Sequence, residues 1–414
     1  MLLNLKKKEI NNFFKSHLFL SICGSILGVL STAIFFILIS KFLDQVFLAK
    51  FSLSILFFFS ILQISLMGVD QNIIAHSKTL DSKKIIFDKK IKLLFISIAV
   101  SVCLYLIIFS LKNIFIINLY IHDFVILNIS VILGLLCRVF QAYLQASSKL
   151  FQNAQANLCR YLGYLSFMII WVFNLDLNIL FYFLFGEIFA LIFLLILIFF
   201  KIGYKYSIKI KEYNFKYLYL GISQFSYESL FKLDLLTIAI FGNQKLLILY
   251  SILSNIIEGI VNFLSVTHPM INNFMNRYKV SKISKKDLNL MNYINVFSIF
   301  IFLMILPSYF LLNYLIFMEF PRNDLIFIAI LFSFLLIFFR KVFLFFFFFS
   351  INNLPEKQFL FSSSMAIGNF ILNIFLFYYF GLFGIVFATL ITYFISKLYI
   401  SYFLQKYKKI INFI

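Results

Sequence analysis

Residues 179–200 read ILFYFLFGEIFALIFLLILIFF, an apolar run in which Glu187 is the only charged side chain. A helix of about 20 such residues crosses the ~30 Å hydrocarbon core of a lipid bilayer. Runs of this kind recur from Leu18 to Phe403, and nearly every Lys and Arg lies between them. The sequence therefore predicts an all-α integral membrane protein that crosses the membrane many times.

The apolar runs predict twelve transmembrane helices. Each predicted helix ends where the run gives way to charged or turn-forming residues. The helices are Leu18–Ile39, Phe47–Val69, Leu93–Leu111, Phe124–Tyr143, Ala156–Phe173, Ile179–Phe200, Tyr217–Phe241, Leu246–Thr267, Tyr293–Leu315, Leu325–Phe349, Phe359–Phe380 and Leu382–Leu404.

Composition and charge placement agree with the membrane class. Hydrophobic residues make up 63% of the chain, charged residues 13%, and the mean hydropathy is +1.00. The net charge of +20 could suit nucleic acid, but its placement argues against that partner. With loops assigned alternately to two sides, thirty of the 36 Lys and Arg share the N-terminal side, five lie opposite, and Lys232 lies within a helix. This asymmetry predicts that both termini are cytoplasmic.

The longest hydrophilic connections, 75–92, 201–216 and 276–292, all fall on the predicted cytoplasmic side. The basic linker 201–216 divides the chain into an N-terminal lobe, 1–200, and a C-terminal lobe, 217–414, with six predicted helices each. An even number of helices gives the lobes the same orientation, as in transporters built from parallel repeats. No Gly-rich phosphate-binding loop occurs in the sequence, which predicts no ATPase site.

Polar residues inside the apolar runs are the candidate functional residues, because ionisable groups in a bilayer generally face a cavity or a partner. Asn255, Glu258 and Asn262 follow helical spacing, and so do Asn369 and Asn373. The candidates for substrate binding are Lys232, Arg340, Lys341, Asn255, Asn262, Asn369 and Asn373. The candidates for ion coupling are Glu258, Glu228, Glu187 and Asp70.

Two interpretations of these residues are open. They could hold helices together, with Glu228 and Lys232 neutralising each other. Alternatively they line a hydrated cavity, where cations and carboxylates together suit an anionic, sugar-bearing substrate and a coupling ion. Glu258 is then the first choice for the coupling carboxylate, because Asn255 and Asn262 lie one turn away on either side.

The remaining polar features predict less. Arg138, Arg160 and Lys397 lie near cytoplasmic helix ends, where long side chains can extend to the interface. The four Cys lie within or at the ends of apolar runs, without the spacing of a metal site. The sequence therefore predicts no metal site and no catalytic residues.

Three segments combine Gly, Asp, Asn and Tyr in a motif-like way. They are GVDQNIIAH at 68–76; Asp234 with FGNQ at 241–244 and LYSIL at 249–253; and Asn369, Asn373, GLFG at 381–384, Ala388, Thr389 and Tyr393. These segments resemble the Wzx-type polysaccharide flippases of the MOP exporter superfamily. Many members carry an Arg shortly after the first motif, where this chain has His76 and Lys78.

The resemblance implies a MATE-like fold, with two six-helix bundles around a central cationic cavity. It implies a flippase of the bacterial inner membrane that moves an undecaprenyl-pyrophosphate-linked oligosaccharide, an O-antigen or capsule repeat unit, by alternating access. No cofactor is expected, and a proton or sodium ion would be the coupling ion. The expected partners are the lipid-linked glycan, the lipid bilayer and other polysaccharide-assembly membrane proteins.

Two other functions are open. A small-molecule or drug antiporter of the same superfamily would share the fold. A membrane polysaccharide polymerase, ligase or glycosyltransferase would instead need catalytic residues on sizeable outward loops. The predicted outward loops are short and carry few acidic or basic residues, so the sequence favours a transporter over an enzyme.

Overall fold

The computed structural model describes residues 17–76, 85–87, 89–147, 149–206, 216–228, 230–265, 307, 311, 314–317 and 355–406. In these ranges the protein is almost entirely helical, as the sequence predicts. The helices are α1 (His17–Phe42), α2 (Gln45–Leu66), α3 (Val69–His76), α4 (Leu93–Ser110), α5 (Ile121–Ala146), α6 (Leu150–Phe173), α7 (Phe181–Leu195), α8 (Lys216–Glu228), α9 (Leu230–Phe241), α10 (Gln244–Ser265), α11 (Pro355–Phe380) and α12 (Leu382–Lys406).

Seven apolar helices in the described part are long enough to cross a membrane, namely α2, α4, α5, α6, α7 with its continuation to Ile202, α11 and α12. The predicted helices 293–315 and 325–349 lie outside the described residues, apart from a few positions. The backbone also divides into two compact units, Met1–Gly221 and Ile222–Ile414. The division into six-helix lobes at 201–216 stays a prediction.

In the first unit, α5 packs against α2, α3, α4 and α7, and α6 packs against α1 and α7. Buried aromatic rings fill the space between α1, α6 and α7. Tyr182 stacks on Phe35 at 4.8 Å and on Tyr164 at 4.4 Å between ring centroids. Its hydroxyl lies 3.2 Å from Ser31 Oγ and 3.3 Å from Thr32 Oγ1, so the polar end of the ring also has partners. Such stacking adds about 0.5–1.5 kcal/mol per pair to the burial of apolar area.

The predicted helix 47–69 is wrong at its end. Helix α2 ends at Leu66, Met67 and Gly68 take positive φ values of 46° and 73°, and α3 starts at Val69. A left-handed residue cannot continue a right-handed helix, so the chain changes direction here. Helix α3 then carries the first motif segment, 68–76, in a separate helix that packs against α5.

A two-stranded parallel sheet was missed by the all-α prediction. Strand β1 (Ile85–Phe87) pairs with β2 (Tyr204–Tyr206), with Ile86 opposite Lys205. Strands of three residues are too short to produce a recognisable apolar alternation. Because β1 lies in connection 75–92 and β2 in connection 201–216, the two connections must lie on the same side of the unit.

In the second unit, α11 pairs closely with α12, and α9 packs against α10 and α11. Gly381 has a φ of 58° between α11 and α12, and the N–H of Gly384 donates to its carbonyl at 3.0 Å. Glycine adopts this left-handed backbone without a steric penalty, so the chain can turn tightly between the two helices. The turn places α11 and α12 side by side, which brings their polar residues together.

Candidate functional site

Asp234 is a fully buried carboxylate in the apolar helix α9. A buried carboxylate is tolerated only where hydrogen-bond donors replace the water it has lost. Four such donors surround it, and they come from α10, α11 and α12. The second unit therefore contains a polar centre inside apolar helices.

The geometry of this centre is specific. Asn369 Nδ2 and Asn373 Nδ2 donate to Asp234 Oδ1 at 3.0 Å and 2.6 Å. Thr389 Oγ1 donates to Oδ2 at 2.9 Å, and the Tyr250 hydroxyl also donates to Oδ2. All four donor side chains are buried. We call these five residues the Asp234 cluster.

A second layer supports the cluster. Thr392 Oγ1 donates to Asn369 Oδ1 at 3.2 Å, so the amide oxygen of Asn369 has a partner. Asn373 Oδ1 is buried and, among the described residues, has no hydrogen-bond partner. A buried amide oxygen of this kind can accept a hydrogen bond from a water molecule or bind a cation.

The cluster can bind a proton or a small hard cation. Its carboxylate, hydroxyl and amide groups supply the oxygen atoms that such cations prefer. The orientation of each Asn amide is assigned from the hydrogen-bond network, and a turn of the amide presents its oxygen to Asp234 instead of its nitrogen. The same residues can therefore either donate to an ionised carboxylate or surround a cation next to it.

The structure brings together two of the predicted substrate-binding residues, Asn369 and Asn373, around a residue that the predicted sites did not include. Asp234 belongs only to the second motif segment. In the predicted helix 217–241 it does not continue the four-residue spacing of Glu228 and Lys232, so that spacing does not select it. The partners of Asp234 lie 16, 135, 139 and 155 residues away, so spacing within one helix could not identify them.

The other predicted residues of the second unit do not join this cluster through any described contact. Lys232 is buried on α9, two residues before Asp234. Asn255 Nδ2 donates to Ser251 O within α10 at 2.8 Å. Glu228 lies on α8, and Glu258 and Asn262 lie on α10, while their side chains lie outside the described part of the protein. Arg340 and Lys341 lie outside the described residues.

Glu187 lies in a separate polar group in the first unit. Its Oε1 is 2.8 Å from Arg160 Nε, and both side chains are buried. Arg160 Nη1 and Gln141 Nε2 each donate to Asn157 Oδ1 at 2.8 Å. The expectation that Arg160 extends to the membrane interface is wrong, because its guanidinium points into the unit and is paired there.

Asp70 takes a different position from the other acidic candidates. It is half-buried in the first turn of α3, directly after the break at Gly68. A carboxylate there complements the positive end of the helix dipole. Its predicted role in ion coupling stays a prediction.

Solved structures share this fold over nearly the whole chain. A MOP superfamily transporter from Pyrococcus furiosus Vc1, whose binding pocket of reverse polarity suggests a different function, has a TM-score of 0.63 at 13% identity, covering 95% of this chain and 97% of that chain. An outward-facing multidrug resistance MATE transporter of the MOP superfamily has a TM-score of 0.62 at 14% identity, covering 95% of this chain and 97% of that chain. A MATE protein in a bent conformation has a TM-score of 0.59 at 13% identity, covering 97% of this chain and 96% of that chain. The sequence matches no protein-family profile and no curated protein.

The protein therefore has the fold of the MOP superfamily transporters, in which twelve helices form two bundles. This confirms the predicted fold class and makes the chain a multi-pass membrane protein. The matched proteins are transporters and not enzymes. At 12–14% identity the likeness describes the fold and leaves the substrate to be argued from the residues.

Proposed function

We propose that this protein is a flippase that moves an undecaprenyl-pyrophosphate-linked oligosaccharide across the bacterial inner membrane by alternating access, with both termini in the cytoplasm. The MOP-type fold supports the transporter class. The flippase assignment rests on the sequence resemblance. It is supported by the contacts within the Asp234 cluster, which is formed by residues of the second and third motif segments. The substrate would be an O-antigen or capsule repeat unit, and other polysaccharide-assembly membrane proteins would be its partners.

The Asp234 cluster is the proposed coupling site. An ion gradient can drive transport only if the ion binds the two facing states with different affinity. A carboxylate with four donors on three other helices is suited to this, because a bound proton or sodium ion would change how α9 is held against α10, α11 and α12. The observation that carries this assignment is the fully buried Asp234 carboxylate with its four hydrogen-bond donors.

The predicted cations would bind the pyrophosphate of the substrate. Lys232 lies two residues from Asp234 on α9, and side chains at that spacing face different directions. The pyrophosphate bound at Lys232 and the coupling ion bound at Asp234 would therefore contact α9 on two different faces. Arg340 and Lys341 are proposed to serve the same pyrophosphate.

A second candidate function is antiport of a drug or another small molecule. It is favoured by the similarity to a multidrug resistance MATE transporter over 95% of this chain. The two candidates differ in substrate charge. A pyrophosphate requires cations in the cavity, while a cationic drug requires carboxylates and aromatic rings.

Transport in proteoliposomes tests both the substrate and the coupling site. Wild type should move a fluorescent undecaprenyl-pyrophosphate oligosaccharide faster under an imposed pH or Na⁺ gradient, and Asp234→Asn should remove that acceleration. Glu258→Gln is the matched comparison, because Glu258 was the first choice from sequence alone. If Asp234→Asn keeps the gradient response and Glu258→Gln loses it, the coupling site belongs to α10 and the assignment to Asp234 fails.

Substrate class is tested separately. Lys232→Ala and Arg340→Ala should each reduce glycan transport while leaving the amount of protein in the membrane nearly unchanged. Ethidium or another cationic dye serves as the antiport substrate in the same vesicles. Transport of the dye with no movement of the lipid-linked glycan would establish the antiporter function in place of the flippase.

A further inference from the structure

We propose that the β1–β2 sheet and the lysines beside it form a binding surface for the phosphate groups of anionic phospholipids. The surface is defined by Lys92, Lys201 and Lys205, together with Phe200. It belongs entirely to the first unit. Lipid binding at this surface would be independent of the transported substrate and of the coupling ion.

Two of the lysines are fixed at the depth of the lipid headgroups. Lys92 directly precedes the membrane-spanning helix 93–110, and Lys201 lies in the last turn of the span 181–202. An apolar span of this length matches the ~30 Å hydrocarbon core, so residues at its ends lie where the headgroups begin. The ammonium groups of Lys92 and Lys201 are therefore at phosphate level.

The parallel sheet brings the two ends together. The N–H of Ile85 donates to the carbonyl of Gly203 at 3.1 Å, and Ile86 lies opposite Lys205 in the ladder. Ile85 and Phe87 are buried, and the Phe87 ring meets Tyr143 edge-on at 4.9 Å. One side of the sheet is thus packed on the end of α5. Because side chains alternate along a strand, Lys205, opposite Ile86, faces the other side.

The charge of this surface is strongly one-sided. Lys92, Lys201 and Lys205 are all exposed, and among the described residues none of them forms an ion pair. The two sequence stretches 83–92 and 201–209 together contain eight Lys and a single acidic residue, Asp88. Basic clusters next to transmembrane helices attract anionic lipid headgroups.

Aromatic exposure favours lipid over a protein partner. The side chain of Phe200 is 84% exposed and lies next to Lys201 at the end of the span. An exposed apolar ring at this depth contacts the acyl chains of the bilayer. A phospholipid can satisfy both parts of the surface at once, with its phosphate on the lysines and its acyl chains on the ring.

Native mass spectrometry of the full chain, with phosphatidylglycerol and phosphatidylcholine titrated into detergent micelles, measures the proposed binding. We expect wild type to bind phosphatidylglycerol more tightly than phosphatidylcholine. The variant Lys92→Gln/Lys201→Gln/Lys205→Gln should weaken phosphatidylglycerol binding about fivefold or more. The control Lys41→Gln/Lys112→Gln/Lys245→Gln removes the same charge from connections on the predicted non-cytoplasmic side and should bind as wild type does.

A charge-conserving variant keeps the test decisive if the glutamine variant does not fold. Lys92→Arg/Lys201→Arg/Lys205→Arg should retain the phosphatidylglycerol preference, and the preference of wild type should fall as salt rises, because exposed charges are screened. Equal weakening in the Lys41 control, loss of binding in the arginine variant, or binding that does not change with salt would each overturn the proposal.

Discussion

At the scale of single residues, the Asp234 carboxylate accepts hydrogen bonds from one residue on α10, two on α11 and one on α12. Hydrogen bonds to a charged group contribute about 1.5–3 kcal/mol each in proteins. The carboxylate therefore does more for the second unit than carry a charge, because it connects α9 with α10, α11 and α12. Loss of one donor should be tolerated, whereas loss of the acceptor should affect all four contacts.

Thr389 offers a clean test of one donor. Thr389→Val keeps the shape of the side chain and removes the hydroxyl that lies 2.9 Å from Asp234 Oδ2. We expect it to lower the stability of the protein in detergent by about 0.5–2 kcal/mol. Thr389→Ser keeps the hydroxyl and should lose less stability than Thr389→Val. Thermal unfolding of both variants, followed by tryptophan fluorescence or circular dichroism, measures the difference. Equal losses in the two variants would contradict a role for the hydrogen bond.

The pair of Arg160 and Glu187 leads to a second prediction at this scale. Glu187→Gln leaves the buried Arg160 guanidinium without its counter-charge, which typically costs about 3–5 kcal/mol. The double variant Arg160→Met/Glu187→Leu removes both charges and should recover much of that stability. Unfolding of the three proteins in the same detergent measures the difference. A double variant that is less stable than Glu187→Gln would show that the pair itself is required.

At the scale of elements, α6 and α7 approach each other closely at Gly163. A Cβ atom on Gly163 would lie 2.6 Å from Phe185 O and 3.0 Å from Gly186 Cα. Small residues at such positions allow two transmembrane helices to pack backbone against backbone. The same contact holds Arg160 and Glu187 on facing helices, so the helix spacing and the ion pair depend on each other.

Gly163→Ala should therefore force α6 and α7 apart and lower the melting temperature. The matched control is Gly368→Ala on α11, where an added Cβ meets no atom within 4 Å. Alanine is the better helix former by about 0.5–1 kcal/mol, so the control should be as stable as wild type or slightly more stable. Equal melting temperatures for Gly163→Ala and the Gly368→Ala control would mean that α6 and α7 can move apart without loss of stability.

How much of this was predictable differs from element to element. Long apolar runs define α4, α7 and α12 within a few residues, because the bilayer imposes a minimum length on each span. The break at Met67 was missed, since left-handed backbone at a Met has no pattern that spacing can reveal. The sheet and the partners of Asp234 were missed for a related reason. Both join segments that are distant in sequence, and only the packed chain brings them together.

At the scale of the whole molecule, the membrane orientation can be measured directly. In a variant without native Cys, a Cys at Lys205 should resist an impermeant thiol reagent added to intact cells, whereas a Cys at Asp176 should react. The reason is that thirty of the 36 Lys and Arg fall on the predicted cytoplasmic side, which includes Lys205. Labelling after cell lysis serves as the control for accessibility. Rapid labelling of Lys205→Cys in intact cells would reverse the predicted orientation.

The β1–β2 pairing also determines when, during translation, the first unit can complete its sheet. Strand β1 leaves the ribosome long before its partner, because Ile86 pairs with Lys205. At ~5–20 residues per second, the roughly 120 residues between them take about 6–24 s to translate. During that interval α4, α5, α6 and α7 must enter the membrane while β1 waits unpaired. The first unit can thus close its sheet only after its last span has been inserted, which makes strand pairing a late step of its biogenesis.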